Sequence, residues 1–178
     1  MPDIPDLARR RLVVMGVSGV GKTTFGHALA ERLGVAFLDA DDLHPPANIA
    51  KMRRGEPLND DDRAPWLAAL AGELKRFRER DEGVVLACSA LKRRYRDRLR
   101  EGDDGLVFLH LAATYDVLKA RLSARPGHFM PAALLDSQFA ALEPPDSDEG
   151  ALTLQGALPV STLVETALAA LPSLRRKN

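Results

Sequence analysis

Read from the N-terminus, apolar positions fall into short strand-sized runs separated by longer stretches with helical spacing. Leu12-Val13-Val14-Met15 is a continuous apolar run of the kind a fully covered strand needs. It passes into a glycine-rich turn and then a helix over Lys22 to Leu33, where Phe25, Leu29 and Leu33 recur every four residues on one face. Residues 35–38 predict a second strand, ending in the polar cluster Asp39-Ala40-Asp41-Asp42. Pro45 and Pro46 open a short helix that Gly55 ends. Asn59 or Asp60 caps a longer helix, with acidic residues in its first turn and Trp66, Leu70, Leu74 and Phe77 turned inward. Val84 to Ala87 predicts a third strand, residues 91–100 a strongly basic helix, and residues 107–111 a fourth strand. Thr114 caps a helix reaching about Ala124. A Gly/Pro-containing stretch follows, then a helix near residues 132–142, a weak fifth strand at 151–154, and a last helix capped by Ser161. Strands alternating with helices imply an α/β fold with a parallel sheet covered on both faces.

The chain has 178 residues, of which 46% are hydrophobic, enough for one compact domain spanning 1–178. Its 25 basic and 25 acidic residues balance, so charge gives no support to a nucleic-acid binder. A single cysteine, Cys88, excludes an internal disulfide and a cysteine zinc site. No apolar run approaches the roughly 20 residues of a membrane span, and residues 1–11 hold no apolar signal-peptide segment, so a cytoplasmic protein is expected. Residues 143–150 predict an exposed loop, and the basic tail from Arg175 a solvated end.

The glycine-rich turn carries a specific chemical signal. Gly16-Val17-Ser18-Gly19-Val20-Gly21-Lys22-Thr23 fits G-x-x-x-x-G-K-[ST] at every fixed position, between an apolar strand and an amphipathic helix. Glycines let backbone N–H groups turn inward around phosphate oxygens, and the following helix aims its positive end at the same place. Lys22 reaches the β- and γ-phosphates, and Thr23 offers a hydroxyl to Mg²⁺, with Thr24 beside it. A nucleoside triphosphate with Mg²⁺, ATP above all, is the expected ligand.

The acceptor side is written in the strand ends, where open α/β sheets bind ligands. Asp39 and Asp41, two apart on an extended segment, are expected to face one cleft. One holds Mg²⁺ and the other takes the proton of an attacking hydroxyl; the competing reading is a solvated acidic turn. Arg121 and Arg125, four apart at a helix end, suit a lid that spreads transition-state charge, or serve merely as complements to the helix dipole.

The stretches Asp39-Ala40-Asp41-Asp42-Leu43-His44-Pro45, Asn48-Ile49, Lys51-Met52, and above all Gly55-Glu56-Pro57-Leu58-Asn59-Asp60-Asp61-Asp62-Arg63, resemble the bacterial-type gluconokinase family. Pro65-Trp66-Leu67, Cys88-Ser89-Ala90-Leu91-Lys92, Tyr95-Arg96, Arg121-Leu122, Gly127-His128-Phe129 and Gln138-Phe139 continue the resemblance, which covers about Leu12 to Pro144. Ala40 stands where glycine is common between the two aspartates. The resemblance implies ATP-dependent phosphorylation of D-gluconate to 6-phosphogluconate, usually by a homodimer. It also implies a fold similar to shikimate and nucleoside monophosphate kinases: a five-stranded parallel sheet, an acceptor-binding segment at about 41–80 and a lid at about 121–145. On the matching positions it implies catalytic Lys22, Asp41 and Arg125; an ATP site of Gly16, Val17, Ser18, Gly19, Val20, Gly21, Lys22, Thr23, Thr24 and Arg121; Mg²⁺ at Thr23 and Asp39; and acceptor contacts from Asp41, His44, Arg63, Lys92, Arg96 and His128. Arg63 suits a carboxylate, since its planar fork makes two hydrogen bonds.

Other polar residues have plainer readings. Asp60-Asp61-Asp62 reads as a solvated helix start, and the basic helix as a cleft face backed by solvated charge. His27 and His110 read as structural or surface residues, Trp66 as core and Cys88 as a small buried filler. A kinase of another small acceptor, and an ATP-binding switch with no acceptor, remain the competing functions.

Overall fold

The computed structural model describes residues 4–124 and 132–175. A short helix α1 (Ile4–Leu7) precedes the central strand β1 (Arg11–Met15), and helix α2 (Lys22–Leu33) leads to β2 (Ala36–Asp39). Then come α3 (Pro46–Arg53), α4 (Asp60–Glu79), β3 (Val84–Ala87), α5 (Arg93–Arg100), β4 (Val107–Ala112), α6 (Tyr115–Ser123), α7 (Ala132–Ala141), β5 (Ala151–Gln155) and α8 (Val160–Ala170). The five strands form one parallel sheet in the order β2-β3-β1-β4-β5. The predicted α/β class and five-stranded parallel sheet are therefore present.

Helices on both faces explain why the strand sequences are apolar throughout rather than alternating. Along β1, Leu12 and Val14 join the core beneath α2 and α8, while Val13 and Met15 join the core beneath α4 and α5. Phe25, Leu29 and Leu33 fill the first core, and Trp66, Leu70 and Leu74 the second, each at the expected four-residue spacing. Gly26 lets α2 press on the sheet: a Cβ there would come within 2.7 Å of the Phe37 ring.

Helix ends follow their local chemistry. Asn59 and Asp62 exchange side-chain and backbone hydrogen bonds in a capping box at the start of α4. Pro46 opens α3, with Gly55 just past its end at φ +72°. Thr114 caps α6, as expected. Ser161 does not cap α8: the helix begins one residue earlier, after Pro159, with no side-chain cap.

The 143–150 loop, expected to be exposed, is exposed at Glu143, Pro144, Asp146 and Ser147 but closes on a buried end at Glu149 and Gly150. Glu149 is 1% exposed and its carboxylate receives two hydrogen bonds from Arg96, Nε at 2.7 Å and Nη2 at 3.0 Å. Arg100 Nη2 donates to the Glu149 carbonyl at 2.7 Å, and Arg93 bonds both Asp146 and Asp148. Acidic residues that looked solvated in the sequence are thus the counter-charges of α5, and the loop is pinned across it.

Candidate active site

The carboxyl ends of β2 and β3, the loop after β1 and the first turn of α2 open on a cleft of about 400 Å³, a size suited to a small metabolite beside phosphate groups. The loop after β1 takes the shape its glycines allow. Gly16 has φ +145° and no room for a Cβ, which would lie 2.7 Å from the Leu111 carbonyl oxygen; Gly21 has φ +103°. Val17 and Val20 turn their side chains into the core, leaving backbone to form the cradle. Thr23 and Thr24 occupy the first turn of α2 and line the cleft.

Lys22 Nζ donates to the Val17 carbonyl at 3.1 Å, folded over its own loop. Burial holds its ammonium below the ordinary lysine value, against the opposing pull of Asp41, Cys88 and Asp39. Gln138 of α7 reaches into the cradle, and its Oε1 accepts the Ser18 N–H at 2.6 Å. An amide oxygen therefore occupies a donor of the kind a phosphate oxygen would take.

Asp39 ends β2. Its Oδ2 lies 3.4 Å from Thr23 Oγ1, and its Oδ1 accepts the Asp41 N–H at 3.0 Å. Contrary to the expected extended segment, Asp41 sits in a 3₁₀ turn, Ala40–Leu43, that Asp39 caps. Both carboxylates nevertheless line the same cleft, brought there by the turn rather than by strand alternation. Asp41 stands open to the cleft, its side chain 82% exposed. The surrounding walls still thin its hydration, and that loss, reinforced by Asp39, raises its carboxyl above the ordinary value against the opposing His44 and Lys22. A raised carboxyl is the better proton acceptor.

His44, at the end of that turn, also lines the cleft, and burial keeps its imidazole below the ordinary value. Arg63, in the first turns of α4, projects into the same space. It hydrogen-bonds the Leu58 carbonyl and lies with its guanidinium carbon 5.4 Å from the Tyr95 ring centre. Arg121 bridges two loops around the other end of the cradle, with Nη2 3.2 Å from the Gly156 carbonyl and Nη1 3.5 Å from that of Val20. Arg125 and His128 lie outside the described residues.

Two expected acceptor contacts stand elsewhere. Arg96 is fully buried (0%), its donors taken by Glu149 and by the Ala90 and Leu91 carbonyls at 2.9 and 3.2 Å. It braces the turn after β3, where Ala90 adopts φ +44° and Ser89 accepts the Gly16 N–H at 3.2 Å. Its placement corrects the expectation: Arg96 is fully buried behind the cleft, with all three of its nitrogens engaged by Glu149 and two backbone carbonyls. Lys92 is outside the cleft wall, with Nζ 3.5 Å from Asp60 Oδ1. Asp60 also bonds Arg94 and Tyr95, and Asp62 receives Lys51 Nζ at 2.6 Å, so these carboxylates tie α4 to α3 and α5 rather than facing only solvent. Cys88 is buried, its thiol pushed up to about 12, which leaves no thiolate at neutral pH and agrees with a filler role. Trp66 is core, as expected, and it also forms the cleft floor.

Sequence reasoning assigned no role to Gln138 or Asn48, although both stood within the quoted motif stretches; neither carries a charge or a spacing rule that would single it out. Met52, Glu56, Pro57 and Leu58 complete the cleft wall.

With this geometry in place, the chain can be set beside known proteins. A family model described as an AAA domain matches residues 12–145. The chain is 52% identical over 150 residues to a gluconokinase of Gluconobacter oxydans, covering 84% of each sequence. It superposes on the crystal structure of a gluconokinase from Sinorhizobium meliloti with a TM-score of 0.85 at 47% identity, covering 93% of each chain. The shikimate kinase of Aquifex aeolicus is similar in fold alone, with a TM-score of 0.57 at 16% identity over 92% of this chain and 96% of that one.

Proposed function

This chain belongs to the gluconokinase family of ATP-dependent P-loop kinases, and we propose that it works through the cleft residues placed above. The reaction moves the γ-phosphoryl group of ATP to D-gluconate, giving 6-phospho-D-gluconate and ADP. What supports the residue roles is a single juxtaposition: the P-loop lysine, a carboxylate of raised pKa and an arginine line one cleft.

The backbone N–H groups of residues 16–21 and the start of α2 hold the β- and γ-phosphates, and Gln138 gives up the Ser18 N–H as they enter. Lys22 leaves the Val17 carbonyl to meet charge that grows on the transferring group. Arg63 pairs with the acceptor's carboxylate and so orients its far hydroxyl. Asp41 takes that hydroxyl's proton as oxygen attacks phosphorus in line. Arg121 sits where the base of the nucleotide would rest, between the P-loop and the loop after β5. Arg125 and His128 complete the reading as lid contacts. Thr23 Oγ1 and Asp39 Oδ2 are hard oxygen donors 3.4 Å apart; they are the residues that would hold a magnesium ion, which would supply neutralisation of phosphate charge.

The protein is taken as a cytoplasmic homodimer that binds no nucleic acid; resemblance to the family supports the dimer, and the even charge balance supports the last point. Among the described residues no helix is long and apolar enough to cross a membrane.

The deciding experiment follows ADP release from Mg-ATP with D-gluconate, shikimate, AMP or no acceptor. Release with gluconate alone, and 6-phosphogluconate as product, is the expected outcome. Equal release with and without sugar acids would favour an ATP-binding switch, and faster release with another acceptor would reassign the acceptor wall.

A further inference from the structure

One polar arrangement in the cleft is unused by the reaction as described. The His44 ring stacks on Trp66, centroids 4.2 Å apart and planes 14° from parallel. Trp66 Nε1 in turn donates to the Ala40 carbonyl at 2.7 Å. One indole therefore clamps both the imidazole plane and the turn that carries Asp41. Asn48, on the first turn of α3, is 3% exposed. Its Nδ2 donates to the Asp62 carbonyl at 2.8 Å. A carbonyl oxygen only accepts, so this bond decides which end of the amide faces Asp62. The same Nδ2 lies 3.3 Å from His44 Nδ1. An amide NH₂ cannot accept, so Nδ1 must offer its lone pair, and the proton of the neutral ring must sit on Nε2. Nε2 is the nitrogen that faces Asp41, 3.8 Å from Oδ1.

We propose that Asn48 is a positioning residue for phosphoryl transfer: it fixes His44 in the Nε2–H tautomer, so that the imidazole presents a donor to Asp41 Oδ1 and leaves Oδ2 to take the acceptor's proton. The proposal rests on Asp41 being the base. In the step itself the acceptor O–H bond breaks and its proton passes to Asp41 Oδ2. The oxygen's electron pair forms the bond to the γ-phosphorus, and the bridging P–O bond breaks with its pair leaving on ADP. His44 neither gains nor loses a proton. Its N–H points toward one carboxylate oxygen, 3.8 Å away, and so favours the orientation that leaves the other for the hydroxyl. The opposite tautomer would turn a ring lone pair toward the carboxylate and push it out of line.

The imidazole ¹⁵N shifts of the intact protein test this directly. The wild type at neutral pH is expected to show His44 neutral, with its proton on Nε2. Asn48→Asp gives Nδ1 an acceptor; it should move the proton to Nδ1 and lower kcat on the order of ten- to a hundredfold while KM for ATP stays unchanged. His44→Gln places an amide N–H near the Nε2 position and has no tautomer. It should lower kcat by itself, with Asn48→Asp costing less than about twofold more in that background. A wild-type spectrum with the proton on Nδ1, or on both nitrogens, overturns the proposal even if the variants fail to fold. An equal cost of Asn48→Asp in both backgrounds also overturns it. The spectrum does not depend on the acceptor, so a failure of gluconate as substrate would leave the tautomer result standing and be recognised separately.

Discussion

Lys22, Asp41 and Arg63 share one cleft but act on different quantities, and kinetics can separate them. Given the proposed role of Lys22 at charge that develops during transfer, Lys22→Ala should lower kcat by about 10²–10³ and raise KM much less. Asp41→Asn keeps shape and removes the proton acceptor; kcat should fall by roughly 10²–10⁴ while ATP binding, read by calorimetry, stays nearly intact. A near-normal kcat would remove Asp41 from the role of base. Arg63→Ala loses charge-assisted hydrogen bonds worth about 1.5–3 kcal/mol. It should therefore raise KM for the acid about ten- to a hundredfold and leave KM for ATP unchanged. At this scale the sequence was informative where a residue carries charge within a spaced motif. It was silent on Asn48 and Gln138, whose importance lies in which atom they face.

Among the elements, α5 departed most from expectation, together with the buried end of the 143–150 loop that packs on it. Six basic residues between Lys92 and Arg100 suggested a helix with one face in the cleft. Instead its inner face meets the 143–150 loop, where Glu149 accepts from Arg96 and lies against Arg100. Burial by itself would push Glu149 up, but the bonds from Arg96 and the Asp146 N–H, with the charges of Arg96 and Arg100, outweigh it and hold the carboxyl below its ordinary value. A lowered folded-state pKa stabilises the protein above the unfolded value and loses that contribution as pH falls through the folded one. Glu149→Gln should thus lower Tm at pH 7 by the equivalent of about 3–5 kcal/mol, because Arg96 is left buried without its counter-charge. The gap to wild type should narrow below the ordinary glutamate value of about 4.3. For α7, Gln138→Ala frees the Ser18 N–H that ATP must otherwise win from the side chain. A net hydrogen bond of about 0.5–1.5 kcal/mol predicts a KM for ATP lower by roughly two- to tenfold; an unchanged or raised KM would show that Gln138 helps to hold nucleotide instead.

At the scale of the whole molecule, the two cores on opposite faces of one sheet meet at β1, whose end carries the phosphate loop. Ligand that binds there only in the folded chain stabilises the fold by mass action. Mg-ATP at about 100 times its Kd should add about 2.7 kcal/mol of stability and raise Tm accordingly, and Lys22→Ala should abolish most of the increase. The alternation of strands and helices, the parallel sheet, the P-loop and the family of the acceptor segment were all legible from the chain alone. Each rests on local periodicity or on a contiguous motif, and backbone conformation along such stretches is decided by near neighbours. Which strands lie side by side, which carboxylate answers which arginine, and which nitrogen of His44 faces Asp41 were not legible. Those depend on residues far apart in sequence: Arg96 and Glu149 are 53 positions apart, and Ser18 and Gln138 are 120 apart. The sequence by itself determined the chemistry available, a phosphate cradle with a carboxylate and an arginine beyond it. Only the tertiary structure decided which charges reach the substrate and which are spent on one another, because burial, and not residue type, sets whether a charged side chain still has a donor to give.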